Sequence, residues 1–210
     1  MTNKTSMIFI SAIFLTTGLF PLSAGEILAA WDSWPDPSKD SSYNGADITA
    51  DHIAAELSLT GTWQRGAKGS TDETFGTIGG AKKSSTAANG YLASKATDAD
   101  TYIEFTVTNN RQTPVTIEAV HFDLQRQWSN APRYYRIESM GSGIPKGLIA
   151  KGQLLPFENP LNTDYADIDA PVNLQNTDLA PGKSVTFRLT VSGGKGTAPI
   201  FIDNFAVTEK

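Results

Sequence analysis

Between Ser184 and Val191 the apolar residues Val185, Phe187, Leu189 and Val191 alternate strictly with Thr186, Arg188 and Thr190. A side-chain period of two belongs to an extended strand with one buried and one wet face. The same pattern runs through Thr101–Thr108, where Ile103, Phe105 and Val107 oppose Tyr102, Glu104 and Thr106. Pro114–Gln125 is longer and changes phase: Val115 and Ile117 share one parity, whereas Val120, Phe122 and Leu124 share the other. A single inserted residue near Glu118–Ala119 restores one continuous apolar face, which predicts a β-bulge there. Ile27–Asp32, Tyr134–Ser139 and Pro199–Thr208 complete the clear strands. Asp51–Leu59 reads as a strand or mixed edge element, because Ile53, Ala55, Leu57 and Leu59 alternate as well as they fit a helix. Clusters of Gly, Pro, Asn and Asp punctuate these runs, as in an all-β domain. Gly61–Lys95 is read as long loops around a short strand near Thr74–Ile78, and Asn159–Thr177 as a second irregular region. No fixed-period repeat and no separating linker interrupt the 210 residues, so one domain is expected.

Residues 1 to about 25 have the order of a secretory signal peptide. Lys4 precedes the apolar run Met7–Leu19, Gly18 and Pro21 break it, and Ser23-Ala24-Gly25 offers small residues for cleavage. The domain proper then covers 26–210. It is expected to be secreted, extracellular or periplasmic, with no membrane span. The net charge of −5 argues against nucleic acid as a partner, since phosphate binding needs a basic face. The absence of Cys excludes disulfides, thiolate metal sites and a Cys nucleophile.

Three segments carry a resemblance. They are Ile27-Leu28-Ala29-Ala30-Trp31-Asp32, Tyr102-Ile103-Glu104-Phe105-Thr106-Val107, and Val185-Thr186-Phe187-Arg188-Leu189 followed by a Gly-rich turn and Phe201-Ile202-Asp203-Asn204-Phe205. Together they resemble a family of secreted bacterial β-sandwich proteins that often carry a PEP-CTERM-type sorting signal. The final Ile-Asp-Asn strand is also similar to the last strand of jelly-roll carbohydrate-binding modules. The resemblance implies an antiparallel β-sandwich of jelly-roll type. The chain departs from the family in ending at Lys210, without the apolar helix and basic tail of the sorting signal.

Asp203 stands out because strand parity groups it with Phe201, Phe205 and Val207, and an ionised carboxylate in apolar surroundings is costly unless paired or hydrogen-bonded. Two readings are open. It holds a structural Ca²⁺, with Asp32 as a second ligand because the first and last strands of jelly-roll modules lie close, or it caps backbone amides at a strand end or bulge. Asp164, Asp167 and Asp169 lack the spacing of a calcium loop and read as a solvated loop.

Aromatic rings among polar side chains suit a pyranose, whose apolar face stacks on a ring while neighbours read its hydroxyls. Two clusters qualify: Trp63 beside Gln64 and Arg65, and Arg126-Gln127-Trp128-Ser129-Asn130 leading to Tyr134. The alternative for each Trp is that it closes an end of the core, and Trp31 and Trp34 read as core. Nothing points to catalysis. His121 falls opposite Val120 and Phe122 and is expected to be exposed, without a nucleophile motif. His52 adjoins Asp51 as a surface pair. No carboxylate pair of a glycosidase is visible, and Arg126, Gln127, His121 and Tyr135 supply only the residue types of a sandwich-fold lyase. The expectation is a non-catalytic carbohydrate-binding protein acting on extracellular polysaccharide. The alternative is a structural or adhesive protein of the cell surface or matrix.

Overall fold

The computed structural model describes residues 25–32, 34, 45–65, 82–83, 92–94, 101–126, 128–154, 164–195 and 198–210. The signal peptide, the strand expected near Thr74–Ile78 and Gln127 lie outside the described residues. In chain order the strands are β1 (Glu26–Trp31), β2 (Ile48–Thr49), β3 (Ile53–Thr60), β4 (Trp63–Arg65), β5 (Lys82–Lys83), β6 (Leu92–Ser94) and β7 (Tyr102–Asn109). They continue with β8 (Val115–Gln125), β9 (Tyr134–Ser142), β10 (Gly147–Gln153), β11 (Asp164–Pro171), β12 (Asp178–Leu179), β13 (Ser184–Ser192) and β14 (Ile200–Glu209). Among the described residues there is no helix long and apolar enough to cross a membrane.

All pairings are antiparallel and fall into two sheets. The larger has the order β2-β1-β14-β8-β11-β5, with β12 beside β8 and β6 between β14 and β4; the smaller has the order β10-β9-β13-β7-β3. The long strands change sheet from β7 to β8, β8 to β9, β10 to β11 and β13 to β14. The first and last long strands, β1 and β14, are neighbours. This is the wiring of a jelly-roll β-sandwich.

The alternating runs bury the residues their parity indicates. Ile103, Phe105 and Val107 of β7 and Val185, Phe187, Leu189 and Val191 of β13 face the larger sheet with no exposed surface. The bulge expected near Glu118–Ala119 is present: Thr208 pairs with Ala119 but Glu209 with Ile117, so Glu118 is the extra residue. Val115, Ile117, Val120, Phe122 and Leu124 thereby share the core. A second bulge was not visible in the sequence. Asp203 pairs with Asp123 and Ala206 with His121, and Asn204 adopts φ 47°. Asn is one of the few residues that tolerate this left-handed conformation.

That bulge reverses the parity of β14. Ile200 and Ile202 before it, and Phe205 and Val207 after it, all reach the core, whereas Phe201 packs with Tyr165 in a separate cluster. Asp203 therefore shares a face with Phe201 but not with Phe205 and Val207, which corrects the parity read from an uninterrupted strand. Phe205 lies face to face with Phe105 of the opposite sheet, with ring centroids 3.4 Å apart and planes 4° from parallel. Trp31 stands beside this stack, its ring centroid 5.1 Å from that of Phe105 and 5.8 Å from that of Phe205, with interplanar angles of 62° and 64°.

Two long strands contradict the sequence reading, as do the short β4, β5 and β6, which sheet pairing forms within the Gly61–Lys95 stretch expected as long loops. β11 runs through the region taken as irregular, with Ala166, Ile168 and Ala170 against the core and Tyr165, Asp167 and Asp169 on the other face. The acidic group is thus part of a strand and not a solvated loop; small Ala residues and flanking Pro hid its period. β10 was likewise unread, because Gly147 and Gly152 blur its alternation.

Truncating Phe205 removes the ring that joins the sheets. Phe205→Ala is expected to lower unfolding free energy by about 3–5 kcal/mol in urea titration, with little change in the denaturant slope.

Candidate functional site

The residues singled out from the sequence divide among three environments. Trp63 is buried in the core at 5% exposure and donates its indole N–H to the carbonyl of Thr60 at 2.9 Å. Trp31 and Trp34 are also core residues. Arg126 is buried and donates to the carbonyls of Ala131 at 3.3 Å and Leu154 at 3.1 Å, and to that of Ser129. It clamps the loop that follows β8. Burial first, and then the neighbouring Arg133 guanidinium, lower its pKa, yet arginine stays cationic. Neither Trp63 nor Arg126 presents its polar group to solvent, so the sequence cluster loses two members to the scaffold.

Trp128 is 44% exposed and lies against Phe201, on the outer side of the larger sheet. Tyr134 is 38% exposed and opens β9 on the outer side of the smaller sheet. The two rings thus belong to different faces of the sandwich. Asn130 is exposed in the intervening turn, where its carbonyl accepts from the backbone N–H of Lys195 at 2.8 Å.

Asp203 is 1% exposed, and its Oδ1 accepts from the Trp34 indole N–H and from the backbone N–H of Asn204, both at 3.0 Å. The Asn204 side-chain amide donates to Oδ2 of Asp123 at 3.0 Å. These bonds tie the bulge and separate two carboxylates that stand directly opposite across β8 and β14. The backbone N–H of Asp32 donates to Oδ2 of Asp47 at 2.7 Å. Among the described residues no three His, Asp or Glu side chains gather as metal donors. His121, expected to be exposed, is 9% exposed: Nδ1 lies 2.6 Å from Oδ1 of Asp169 and Nε2 3.2 Å from the Thr208 hydroxyl. Its flanking strands β11 and β14 supply both partners.

A groove of about 650 Å³ lies on the outer face of the smaller sheet. Such a volume lies within the range of small-ligand sites. Its walls include Tyr134, Arg136, Glu138, Lys151, Gln153 and Arg188. Antiparallel register sets these residues in rows across the strands: Gln153 beside Tyr134, Lys151 beside Arg136, and Glu138 beside Arg188 beside Glu104. Arg188 donates from Nε at 2.9 Å and Nη2 at 2.6 Å to Oε1 of Glu104, while its guanidinium lies 4.1 Å over the Tyr102 ring. Arg136 is held to Glu138 at 2.6 Å.

Two neighbours hold the Tyr134 ring. The Arg133 guanidinium carbon lies 4.7 Å from its ring centroid, and its ring closes on Gly193, where an added Cβ would come within 2.7 Å. Gly193 also has φ +78°, so glycine is required twice over. Tyr135 points the other way, edge-on to Phe122 at 5.8 Å, and burial raises its pKa. Arg136, Glu138, Lys151 and Arg188 were missed because each stands on a wet strand face, where charged residues are ordinary.

No protein-family profile matches the chain, and no curated protein matches it in sequence. Solved structures do. The chain is similar to the CBM22-1 xylan-binding domain from Paenibacillus barcinonensis Xyn10C, with 12% identity, a TM-score of 0.45, and coverage of 89% of this chain and 96% of that one. It is similar to a cleaved adhesin domain of Lys-gingipain from Porphyromonas gingivalis, with 11% identity, a TM-score of 0.41, and coverage of 75% and 98%. It also matches the enzymatically active domain of tailspike protein 4 from bacteriophage CBA120, with 12% identity, a TM-score of 0.37 and coverage of 76% of this chain. The chain spans 20% of that tailspike domain, and 28% of a two-module xylanase structure from Clostridium thermocellum.

Removing the carboxylate that ties the bulge strands two buried N–H donors. Asp203→Ala is expected to reduce stability by roughly 1–3 kcal/mol in chemical denaturation, the cost of unsatisfied buried donors.

Proposed function

We propose that this chain is an exported, non-catalytic carbohydrate-binding protein that acts on extracellular polysaccharide through the groove on its smaller sheet. The observation that carries the reading is the groove itself: an exposed Tyr134 ring at one end, continuous with polar side chains held by one ion pair along β9 and one across β13 and β7. A pyranose offers an apolar C–H face to the ring and hydroxyls to Arg136, Glu138 and Gln153. The guanidinium over Tyr102 and the ion pair with Glu104 fix Arg188 beforehand, which lowers the entropy lost on binding. Export rests on the charged, apolar and small-residue order of the first 25 residues.

A second reading, adhesion through a sheet edge, has one feature in its favour: Leu148 on the outer strand β10 is 43% exposed. Affinity electrophoresis through a panel of soluble polysaccharides separates the two. Retardation by a polysaccharide that Tyr134→Ala weakens about tenfold, and Trp128→Ala by less than about twofold, supports the groove. Dependence on Trp128 instead moves the site to the larger sheet. Self-association without retardation by any polymer overturns the carbohydrate reading in favour of adhesion.

A further inference from the structure

The charges of the groove do not balance, and the imbalance runs against that of the whole molecule. Arg188 is paired with Glu104 and Arg136 with Glu138. Lys151, directly opposite Arg136 in the β9/β10 register, is exposed and has no ion pair among the described residues. Arg133 adds a further cation at the Tyr134 end, and its Nε is buried with no hydrogen-bond acceptor. Like charges placed side by side across a strand pair are unfavourable. Here Lys151 and Arg136 adjoin, in a chain of net charge −5. A lysine on an outer strand also discourages edge-to-edge association, but that role does not call for an arginine directly opposite it.

We propose that the groove takes an anionic polysaccharide, one bearing carboxylate or sulfate groups, and that Lys151 and Arg136 select for its charge. This rests on the groove being the glycan site. An anionic substituent seated between the two cations relieves their repulsion and receives N–H donors from both. The half-exposed Arg136 guanidinium keeps donors to spare beyond its bond to Glu138. Tyr134 supplies the sugar-stacking surface one row away, beside Gln153. The local positive potential also draws a polyanion to this face of an otherwise acidic protein.

The test uses the whole chain in affinity electrophoresis through two matched pairs of polymers: polygalacturonate with its methyl ester, and a sulfated galactan with its desulfated form. Polyglutamate serves as a polyanion without sugar rings. The expected result is binding to one charged member about tenfold tighter than to its neutral partner, weakening as salt is raised. The pair that shows the difference tells carboxylate from sulfate. In the double variant Lys151→Gln/Arg136→Gln, with an unchanged melting temperature, that preference falls towards unity. The single charge reversal Lys151→Glu lowers it in the same direction should the double variant be unstable. Equal binding of charged and neutral partners, both lost in Tyr134→Ala, overturns charge selection and leaves the groove as the glycan site. A preference that survives in both lysine variants overturns the assignment to Lys151 and Arg136. Polyglutamate held as tightly as the charged glycan overturns selection for a sugar. Failure to bind any of the polymers overturns the anionic assignment, and extension of that failure to the neutral panel overturns the groove reading with it.

Discussion

One residue in a left-handed conformation governs how the two sheets meet. Asn204, at φ 47°, inserts an extra position into β14, and only because of that insertion do Ile202 and Phe205 both point inward. Without it Phe205 would turn to the outer face and Phe105 would lose its partner across the sandwich. The bulge is held by bonds that apolar packing alone does not provide. Asp203 accepts from its backbone N–H and from the Trp34 indole, and Asn204 reaches across to Asp123. The polar ties and the aromatic stack therefore depend on each other. The ties set the direction of the ring, and the buried rings keep water from competing for the ties.

A pinned core leaves the smaller sheet free to vary its outward residues. In β7 and β13 every inward position is fully buried, so the outward positions carry little of the burden of folding. They are occupied by hydroxyls and charges that meet in register: Thr106 with Thr186 at 2.9 Å, Thr108 with Ser184 at 2.8 Å, and Glu104 with Arg188. Exposed ion pairs of this kind add little to stability. Their value in a groove is that they hold long side chains in one geometry.

How far the sequence anticipates this arrangement depends on how local each signal is. The Glu118 bulge is legible because three apolar residues on its far side and two on its near side disagree in phase. The Asn204 bulge has a similar change of phase, but Phe201 and Phe205 agree in parity across it, so a straight strand looked self-consistent. Tyr165, Asp167 and Asp169 alternate with Ala166, Ile168 and Ala170, yet the weak hydrophobicity of Ala does not announce a core strand. The sandwich was thus readable, and two of its long strands, β10 and β11, were not. For the site the limit is different in kind. Trp128 and Tyr134 are six residues apart and look like one cluster, but a turn and the start of β9 send them to opposite faces. Lys151, Arg136, Glu138 and Arg188 are scattered along the chain, and only the pairing register of three strands brings them into adjacent rows. Register is a long-range property of hydrogen-bonded partners, and no window of sequence contains it.

The same register supports the proposed reading of the smaller sheet as the recognition face. Every residue of β14 is buried, and its neighbour β8 is buried from Ala119 to Gln125, so the middle of the larger sheet is closed on both faces. A row of aspartates, Asp203 opposite Asp123 opposite Asp167, crosses that closed region. On the smaller sheet the pattern is half buried and half wet along both β7 and β13, and the wet half is where the groove lies. A flat antiparallel face spaces its outward side chains at regular intervals along and across the strands. A polysaccharide is also a repeating object, with a stackable face and hydroxyls at each unit. On the proposed reading the match lies between two periodic surfaces, and the uneven charge along one of them would distinguish one polymer from another.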